Sequence, residues 1–377
     1  MDTIGIITYH HYYNYGTMLQ ALALQMKIEE LGYKCEIIDF KQNNDLRKFE
    51  LVRLRIRRMG IYIKDFKKYY ALRSIKNSII ERNEKFEKFY GKYLKVSQNN
   101  YTSSEQLESD PPKYDGYVVG SDQTWNPNVG KNPDAFYLSF VEKKNRCGSY
   151  APSVGLTKVS PEQSERLKKK LEHIAFLSCR ESMGSDLLQK ITGKKVKTVL
   201  DPTLLIESKD WKKLCGKENK HVDKYILQYF LGDVPECREF VKNLSNITNL
   251  PVIILPHSYL DTKSKHQIYC GPEGFLELIS NAEYICTDSF HGTAFSVNFN
   301  KNFFCFHKRK ENEQGSDNSR ITDLLYRLDL EERLIKDYKV PENLEIDYEK
   351  VGKKLEILRS DSLNYLRNML EVIVKND

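Results

Sequence analysis

The sequence lacks the short motifs by which many enzyme classes are recognised. It has no GxxxxGK(S/T) phosphate loop, no GxGxxG after its first apolar run, no CxxC pair, no HExxH and no GxSxG. Each of these motifs carries a defined chemistry, namely nucleotide phosphate binding, dinucleotide binding, redox or zinc chemistry, and serine hydrolysis. Their absence removes the usual support for an ATPase, a dinucleotide-dependent enzyme, a zinc enzyme or a serine hydrolase.

Long apolar runs are also absent. The residues after Met1 contain neither a basic segment nor the apolar stretch of a signal peptide, and no later run is long enough to cross a bilayer. We therefore expect a cytoplasmic protein. The eight cysteines are scattered, no two at metal-ligand spacing, so we expect reduced core residues and no metal. They are Cys35, Cys147, Cys179, Cys215, Cys237, Cys270, Cys286 and Cys305.

The composition is that of a large soluble protein. Of the 377 residues, 40% are hydrophobic and 29% charged, and this length favours two domains. The net charge of +7 is unevenly placed, because residues 45–95 carry 16 Lys and Arg against six Asp and Glu. Apolar residues recur there at roughly helical spacing, which predicts a basic helical insertion over about 45–100. Such helices suit either an anionic membrane face or a solvated protein surface. No nucleic-acid recognition motif accompanies them, so no nucleic-acid partner is expected.

Apolar strands alternate with amphipathic helices along the chain. Ile4–Thr8 predicts a buried strand, an apolar stripe from Leu19 to Met26 predicts a helix, and Cys35–Phe40 predicts the next strand. Because this alternation continues to residue 306, we expect the α/β class with two doubly wound, Rossmann-type domains. We place the first domain at 1–210, the second at 211–345, and a C-terminal helical segment that packs back on the first domain at 346–377.

Ligands of such sheets collect where the carboxyl ends of strands run into helices. The strongest candidate is TDSFHGTAFS, in which a strand brings Ser289 and His291 to the start of a helix. Gly292 and Thr293 begin that helix, where unpaired N–H groups favour an anion beside a proton donor. The alternative is that His291 only caps the strand and Asp288 only caps the helix.

Other strand ends carry polar and aromatic side chains. GSDQTW contains Asp122, which can accept from a hydroxyl, and Trp125, whose flat face suits a sugar. A tight turn with a buried tryptophan is the alternative. Arg180 follows another strand and is either an anion clamp or half of a surface ion pair. The cationic loop 307–320 is either a flap over an anion or a solvated loop.

The first strand ends in HHYYNYGTMLQ, residues 10–20, which is more aromatic than a connection requires. Because this loop leaves the strand at its carboxyl end, we expect it to line a cleft opposite His291. Adjacent histidines point in different directions, so at most one of His10 and His11 is expected to reach a ligand. The tyrosines either form a wall of the cleft or pack under the basic helices.

Together these loops resemble one family. An opening strand, NYG with LQALAL, GSDQTW, SYAPSVG, SCRES, VLDPTLL, DSFHGTAFS and DNSRITDLL occur in the order of the bacterial polysaccharide pyruvyl transferase family, from Ile4 to about Leu325. The resemblance implies a GT-B-like fold, with the two Rossmann-type domains facing a cleft. It also implies phosphoenolpyruvate as the donor substrate, no cofactor, and a sugar of a cell-surface polysaccharide precursor as the acceptor. The pyruvyl group would be added as a cyclic ketal, with release of phosphate.

The resemblance extends to the roles of residues. His291 would be the general acid or would hold the phosphate, and Arg180 matches the family's arginine after a first-domain strand. We add Asp122 to this catalytic group. The expected donor side, in the second domain, comprises Ser289, Gly292, Thr293, Lys308, Arg309, Arg320 and His257. The expected acceptor side, in the first domain, comprises His10, Tyr12, Asn14, Tyr15, Gly16, Ser121, Gln123 and Trp125. A nucleotide-sugar glycosyltransferase of the same fold and a non-catalytic glycan-binding protein are the alternative functions.

One motif departs from the family pattern. Better-studied members carry Arg-Leu-His where this chain has Ser289-Phe290-His291, so an arginine that would bind the donor's phosphate or carboxylate is absent. We expect Lys308, Arg309 or Arg320 to replace it. Sugars of this kind are commonly assembled on a polyprenyl carrier. A carrier-linked acceptor would bring the basic helices to the inner face of the membrane.

Overall fold

The computed structural model describes residues 1–41, 75–129, 133–216, 224–257, 261, 266–308 and 319–375. The first half contains a five-stranded parallel sheet in the order β3-β2-β1-β4-β5. Its strands are β1 Thr3–Ile7, β2 Lys34–Phe40, β3 Val96–Tyr101, β4 Gly116–Val119 and β5 Cys147–Ser149. Ile4, Ile6 and Ile7 are fully buried, as expected for a central parallel strand with both faces covered.

Two smaller units of parallel strands follow. β6 Leu177–Cys179 and β7 Val196–Thr198 pair with each other, and a bridge between Phe176 and Gly148 joins them to the first sheet. The second half contains a four-stranded parallel sheet in the order β11-β10-β8-β9. Its strands are β8 Ile226–Tyr229, β9 Val252–Ile254, β10 Tyr284–Thr287 and β11 Asn302–Cys305.

Helices alternate with these strands, as the sequence pattern predicts. The first half has α1 Tyr15–Glu30, α2 Lys76–Tyr93, α3 Ser104–Ser109, α4 Pro161–Leu171, α5 Ser182–Thr192, α6 Pro202–Leu205 and α7 Ser208–Lys213. The second half has α8 Pro235–Thr248, α9 Pro272–Asn281, α10 Phe290–Asn298, α11 Ser319–Arg327 and α12 Tyr348–Lys375.

Each sheet has a point where the direction of strand order reverses. The reversal lies between β1 and β4 in the first sheet and between β8 and β10 in the second. At such a switch point the connections leave the sheet in opposite directions, which opens a crevice at the carboxyl ends of the strands. Two parallel sheets of this kind confirm the predicted α/β class with Rossmann-type halves.

The two halves contact each other near these crevices. The Tyr15 hydroxyl donates to the Cys270 carbonyl at 3.0 Å, and the Tyr15 ring stacks on Phe275 with ring centroids 4.5 Å apart. The Asn298 side-chain amide donates to the carbonyls of Thr203 and Ile206, both at 2.8 Å. The carboxyl ends of the two sheets therefore face one cleft, the GT-B-like arrangement expected from the motifs.

Helix α1 is buried on nearly all of its faces. The sequence predicts a single apolar stripe, but Thr17, Gln20 and Gln25 are buried as well. The reason is that α1 packs against the first sheet on one side and against α9 and α10 of the second half on the other. Gly32 ends the helix region with a φ of 93°, in the left-handed region that glycine favours.

Helix α12 lies across the first sheet. The Ser362 hydroxyl accepts from the Leu200 backbone N–H at 2.9 Å, and the Tyr365 hydroxyl donates to the Ser149 carbonyl at 3.2 Å.

The boundary near residue 210 stays a prediction, and residues 217–223 of that region lie outside the described residues. Within the described residues, no helix combines the length and the apolar character needed to cross a membrane.

The predicted helical insertion over about 45–100 needs correction at its end. Residues 42–74 lie outside the described residues, and 76–93 form α2 as predicted, but residues 96–101 form β3 at the edge of the first sheet. The sequence VSQNNY hides this strand because an edge strand exposes much of its surface and needs few apolar residues. Its end residues, Val96 and Tyr101, are apolar enough to pack on the sheet.

The centre of the first sheet predicts an effect on stability. A Cβ at Gly5 would lie 2.3 Å from a ring carbon of Tyr114, whose hydroxyl is held by Glu36. We expect Gly5→Ala to lower the free energy of unfolding by about 1–3 kcal/mol, because the ring must move within a packed region. Gly91→Ala on α2 is the matched control, since no atom lies within 4 Å of its added methyl group. Equal urea midpoints for the two variants would contradict the expectation.

Candidate active site

Helix α1 of the first half faces α10 of the second half. A Cβ at Gly16 would lie 2.0 Å from Nδ1 of His291, so only a residue without a side chain fits here. Gly16 belongs to the loop and helix that follow β1, and His291 belongs to those that follow β10. The first-domain loop therefore faces His291, as predicted from its position at a strand end.

Asp201 lies at the centre of the buried polar groups in this region. It follows β7, caps α6, and is 1% exposed. Its Oδ2 accepts from Nη1 of Arg180 at 2.7 Å and from the Ser121 hydroxyl at 2.8 Å, and lies 3.7 Å from Nε2 of His291. Burial alone would raise the pKa of Asp201, but His291 and Arg180 outweigh it and hold the pKa well below its ordinary value. Asp201 is therefore ionised at neutral pH.

Arg180 is a buried cation with unused hydrogen-bonding capacity. It follows β6, is 3% exposed, and has its guanidinium carbon 4.1 Å from the centre of the Phe290 ring. Among the described residues, its Nε and Nη2 have no hydrogen-bond partner. Burial opposes its charge, but Asp201 and Asp122 outweigh burial and raise the pKa of Arg180. The surface ion pair that the sequence left open is excluded by this burial, and the anion clamp is favoured.

The neighbours of His291 have capping roles. The Ser289 hydroxyl accepts from the Gly292 N–H at 3.3 Å, and the Thr293 hydroxyl donates to the Ser289 carbonyl at 3.0 Å. Asp288 does not cap α10. Its two oxygens accept instead from the N–H groups of Leu231 and Gly232, which fixes the loop after β8. His291 itself is 8% exposed, and its Nε2 has no hydrogen-bond partner among the described residues.

Asp122 is held in an uncommon backbone conformation beside this group. Its φ is 72°, a region that non-glycine residues seldom adopt, and such strain recurs at functional sites. Its Oδ2 accepts from the Thr17 hydroxyl and its Oδ1 from the Gln123 N–H, both at 2.9 Å. The Gln123 side chain accepts from Asn126 at 2.7 Å. Asp122 therefore links the β4 loop to the first turn of α1.

Two predicted acceptor residues belong to the protein interior. Trp125 is fully buried, and its indole N–H donates to the Phe136 carbonyl at 3.0 Å, which matches the buried-tryptophan alternative. His10 is also fully buried, with Nδ1 2.9 Å from the Thr8 carbonyl and Nε2 3.0 Å from Asp39. Burial alone would raise the pKa of Asp39, but His10 and Lys41 outweigh burial and lower this pKa to about 2.

The remaining residues of the first loop cap a helix or pack against other elements. The Asn14 side chain accepts from the Thr17 N–H at 3.1 Å and caps α1. Tyr15 packs between the two halves, and Tyr13 donates to Glu87 on α2, so packing under the basic helix accounts for both. Tyr12 is half-buried, with its ring 4.3 Å from that of His11. Tyr12 also packs against a buried apolar cluster of the first half, with its ring 5.5 Å from that of Tyr9.

The donor-side residues outside α10 are only partly described. His257 is exposed, and its N–H donates to Asp261 at 3.2 Å. Lys308 is half-buried beside Gly232, Arg320 is half-buried in the first turn of α11, and Arg309 lies outside the described residues. The cation that replaces the family arginine at position 289 stays a prediction.

Two buried carboxylates, Asp201 and Asp323, were not among the predicted site residues, and Glu181 was considered only together with Arg180, as an anion clamp or a surface ion pair. Asp201 was passed over although it stands in VLDPTLL, where a strand ends in Asp-Pro. Glu181 accepts from the N–H groups of Val154 and Gly155, and Asp323 on α11 accepts from the Ser182 N–H across the two halves. An acidic residue at a strand end is the signal that could have found Asp201, whereas the contact of Asp323 with Ser182 is visible only in the folded structure.

Seven of the eight cysteines are buried, as expected for core residues, and Cys215 is half-buried. Within the described part of the chain, no group of three or more His, Cys, Asp or Glu side chains is arranged to hold a metal ion.

The fold is α/β, and a buried polar group of Arg180, Asp201 and His291 lies where its two Rossmann-type halves meet. The sequence profile of the polysaccharide pyruvyl transferase family matches residues 14–306. The chain therefore belongs to the polysaccharide pyruvyl transferase family and is a transferase, for which a donor substrate and a sugar acceptor are implied.

Solved structures with related folds are only distantly similar. A UDP-GlcNAc 2-epimerase from Methanocaldococcus jannaschii is 15% identical with a TM-score of 0.48, over 95% of this chain and 92% of that one. A UDP-GlcNAc 2-epimerase from Neisseria meningitidis bound to UDP-GlcNAc is 12% identical with a TM-score of 0.43, over 97% and 100%. The E. coli heptosyltransferase WaaC is 10% identical with a TM-score of 0.35, over 83% and 91%. These values support no conclusion about substrate, and the curated proteins contain no match.

The close approach of Gly16 to His291 predicts a specific loss of activity. An added methyl group must displace the buried imidazole, so we expect Gly16→Ala to lower kcat by about 100-fold. Gly352→Ala on α12 is the matched control, because its methyl group meets no atom within 4 Å. Both variants are compared with the parent by steady-state kinetics and thermal unfolding. A kcat equal to that of the parent in a folded Gly16→Ala protein would show that turnover does not depend on the position of His291.

Proposed function

We propose that the protein transfers the pyruvyl group of phosphoenolpyruvate to a sugar of a cell-surface polysaccharide precursor. The product is a cyclic ketal that joins two hydroxyls of the sugar, and phosphate is released. The observation that carries the proposal is the Arg180 guanidinium, buried beside Asp201 and His291 with two nitrogens that have no partner among the described residues.

The charge of the donor suits this guanidinium. Phosphoenolpyruvate carries a carboxylate and a phosphate, and an arginine can bind either of them with two parallel hydrogen bonds. Nη1 of Arg180 is already engaged by Asp201, so the Nε and Nη2 side of the fork is available for the donor. The start of α10 adds N–H groups that favour an anion. Lys308, Arg309 and Arg320 remain candidates for the other charged end.

The reaction requires one proton to be gained by carbon and two to leave hydroxyls. The first sugar hydroxyl adds its oxygen to the central carbon of the enol, and the methylene carbon takes a proton and becomes a methyl group. His291 supplies this proton as general acid, and Asp122 accepts the hydroxyl proton. The second hydroxyl displaces phosphate from the same carbon, and its proton leaves with the phosphate.

The first half provides the acceptor side. Tyr12 and Gln123 are half-buried near the ends of β1 and β4, where a sugar can reach them. Trp125 and His10 support this side from the interior. A polyprenyl-linked acceptor and binding of the basic segment to the inner membrane face are further parts of the proposal, and most of that segment lies outside the described residues.

The donor is tested by product analysis. Candidate lipid-linked or nucleotide-linked sugars are incubated with phosphoenolpyruvate, and both phosphate release and the mass of the sugar product are measured. We expect stoichiometric phosphate and a sugar carrying the pyruvyl mass. Nucleotide release from a UDP-sugar would overturn the proposal in favour of a glycosyltransferase. Glycan binding without turnover would instead indicate a binding protein.

Donor recognition is tested at Arg180. We expect Arg180→Lys to keep a cation beside Asp201 but to raise the KM for phosphoenolpyruvate about tenfold or more, because a hydrogen bond to a charged group contributes about 1.5–3 kcal/mol. Arg333→Lys is the matched control, since Arg333 is equally buried but binds the carbonyls of Asn343 and Glu345. An unchanged KM in Arg180→Lys, or an equal increase in both variants, would count against this role.

A further inference from the structure

We infer that Asp201 is a positioning residue that stabilises the charged form of His291 through one carboxylate oxygen, Oδ2. Its other oxygen, Oδ1, caps helix α6. The inference rests on the proposed function for the task of His291 as an acid.

The two oxygens of Asp201 face different partners. Oδ1 accepts from the Thr203 N–H at 3.0 Å and from the Thr203 hydroxyl at 2.7 Å, which caps the short helix α6. Oδ2 accepts from Arg180 and Ser121 and faces His291. Capping needs only Oδ1. The ion pair with Arg180 accounts for a buried carboxylate at this position, and Nε2 of His291 is a second charge partner of the same oxygen.

The ring of His291 presents Nε2 to the reaction space. Nδ1 is covered by Gly16, because a single added carbon there would lie 2.0 Å away. Nε2 lies 3.7 Å from Oδ2 of Asp201, which is too long for a hydrogen bond but short enough for a strong charge interaction in a buried site. Asp201 can therefore stabilise the imidazolium without taking its Nε2–H. That hydrogen remains available for an atom of the donor.

Other charged groups near this pair act in opposite directions. Arg180 is a cation and disfavours a second positive charge on His291, whereas Asp122 faces Arg180 and offsets part of its charge. The Tyr150 hydroxyl, which also lies near Asp201, donates to the Leu200 carbonyl and is neutral. Without the carboxylate of Asp201, His291 would be left beside a buried cation. Neutralising Asp201 should therefore make His291 lose its proton at lower pH.

The test separates the two oxygens with three variants. Asp201→Asn removes the charge, and Asp201→Ser also removes it but keeps a side chain that caps helices well, in case the first variant does not fold. Thr203→Val removes one hydrogen bond to Oδ1 and leaves Oδ2 untouched. The titration of the His291 ring is followed by NMR in the full-length protein without substrate, with its signals assigned by comparison with His291→Gln. The alkaline limb of the kcat/KM profile is measured in parallel.

We expect both charge-removing variants to move the His291 midpoint and the alkaline limb to lower pH by about one unit or more. Thr203→Val should lower thermal stability but leave both pH values in place. An unchanged midpoint after charge removal, or an equal shift in Thr203→Val, would overturn the inference and leave Asp201 as a cap. Because the NMR titration needs no donor, it decides the inference even if phosphoenolpyruvate proves not to be the substrate.

Discussion

The buried ion pair between Arg180 and Asp201 is the interaction on which the candidate site depends. Removing two charges from water is costly, and their attraction offsets the cost only when the geometry is good and the remaining polar atoms are satisfied. Asp201 meets this condition through Ser121 and Thr203 as well as Arg180. The side chains come from the connections after β4, β6 and β7. The small β6–β7 pair therefore places Arg180 and Asp201 next to each other.

The second requirement is that His291 arrives from the other half of the chain. Its approach depends on the absence of a side chain at Gly16, and the surrounding contacts hold the halves at this distance. Tyr15 stacks on Phe275, Asn298 binds carbonyls near α6, and Asp323 accepts from Ser182 at the start of α5. These contacts join α1, α5 and the α6 region of the first half to the second half around the site.

Much of the fold could be predicted because apolar runs and helix signals are local. β1, β2 and the loops at strand ends follow from such patterns, whereas two domains that face each other were expected from the family resemblance. The edge strand β3 and the all-round burial of α1 could not be predicted, because both depend on which elements pack together. The same limit explains Trp125 and His10, since a sequence does not show whether an aromatic side chain at a strand end points to the cleft or to the core. Asp201 was missed because its contacts join residues that are distant in the chain.

The departure from the family at Ser289-Phe290-His291 has a structural counterpart. Ser289 caps α10 through its hydroxyl, and the Phe290 ring lies against the guanidinium of Arg180. A buried guanidinium loses its hydration, and the negative face of an aromatic ring restores part of that stabilisation, which an aliphatic side chain does not. The guanidinium thus contacts Asp201 through Nη1 and the Phe290 ring through its carbon. In this chain Ser289 therefore caps α10, and Phe290 packs on a buried arginine.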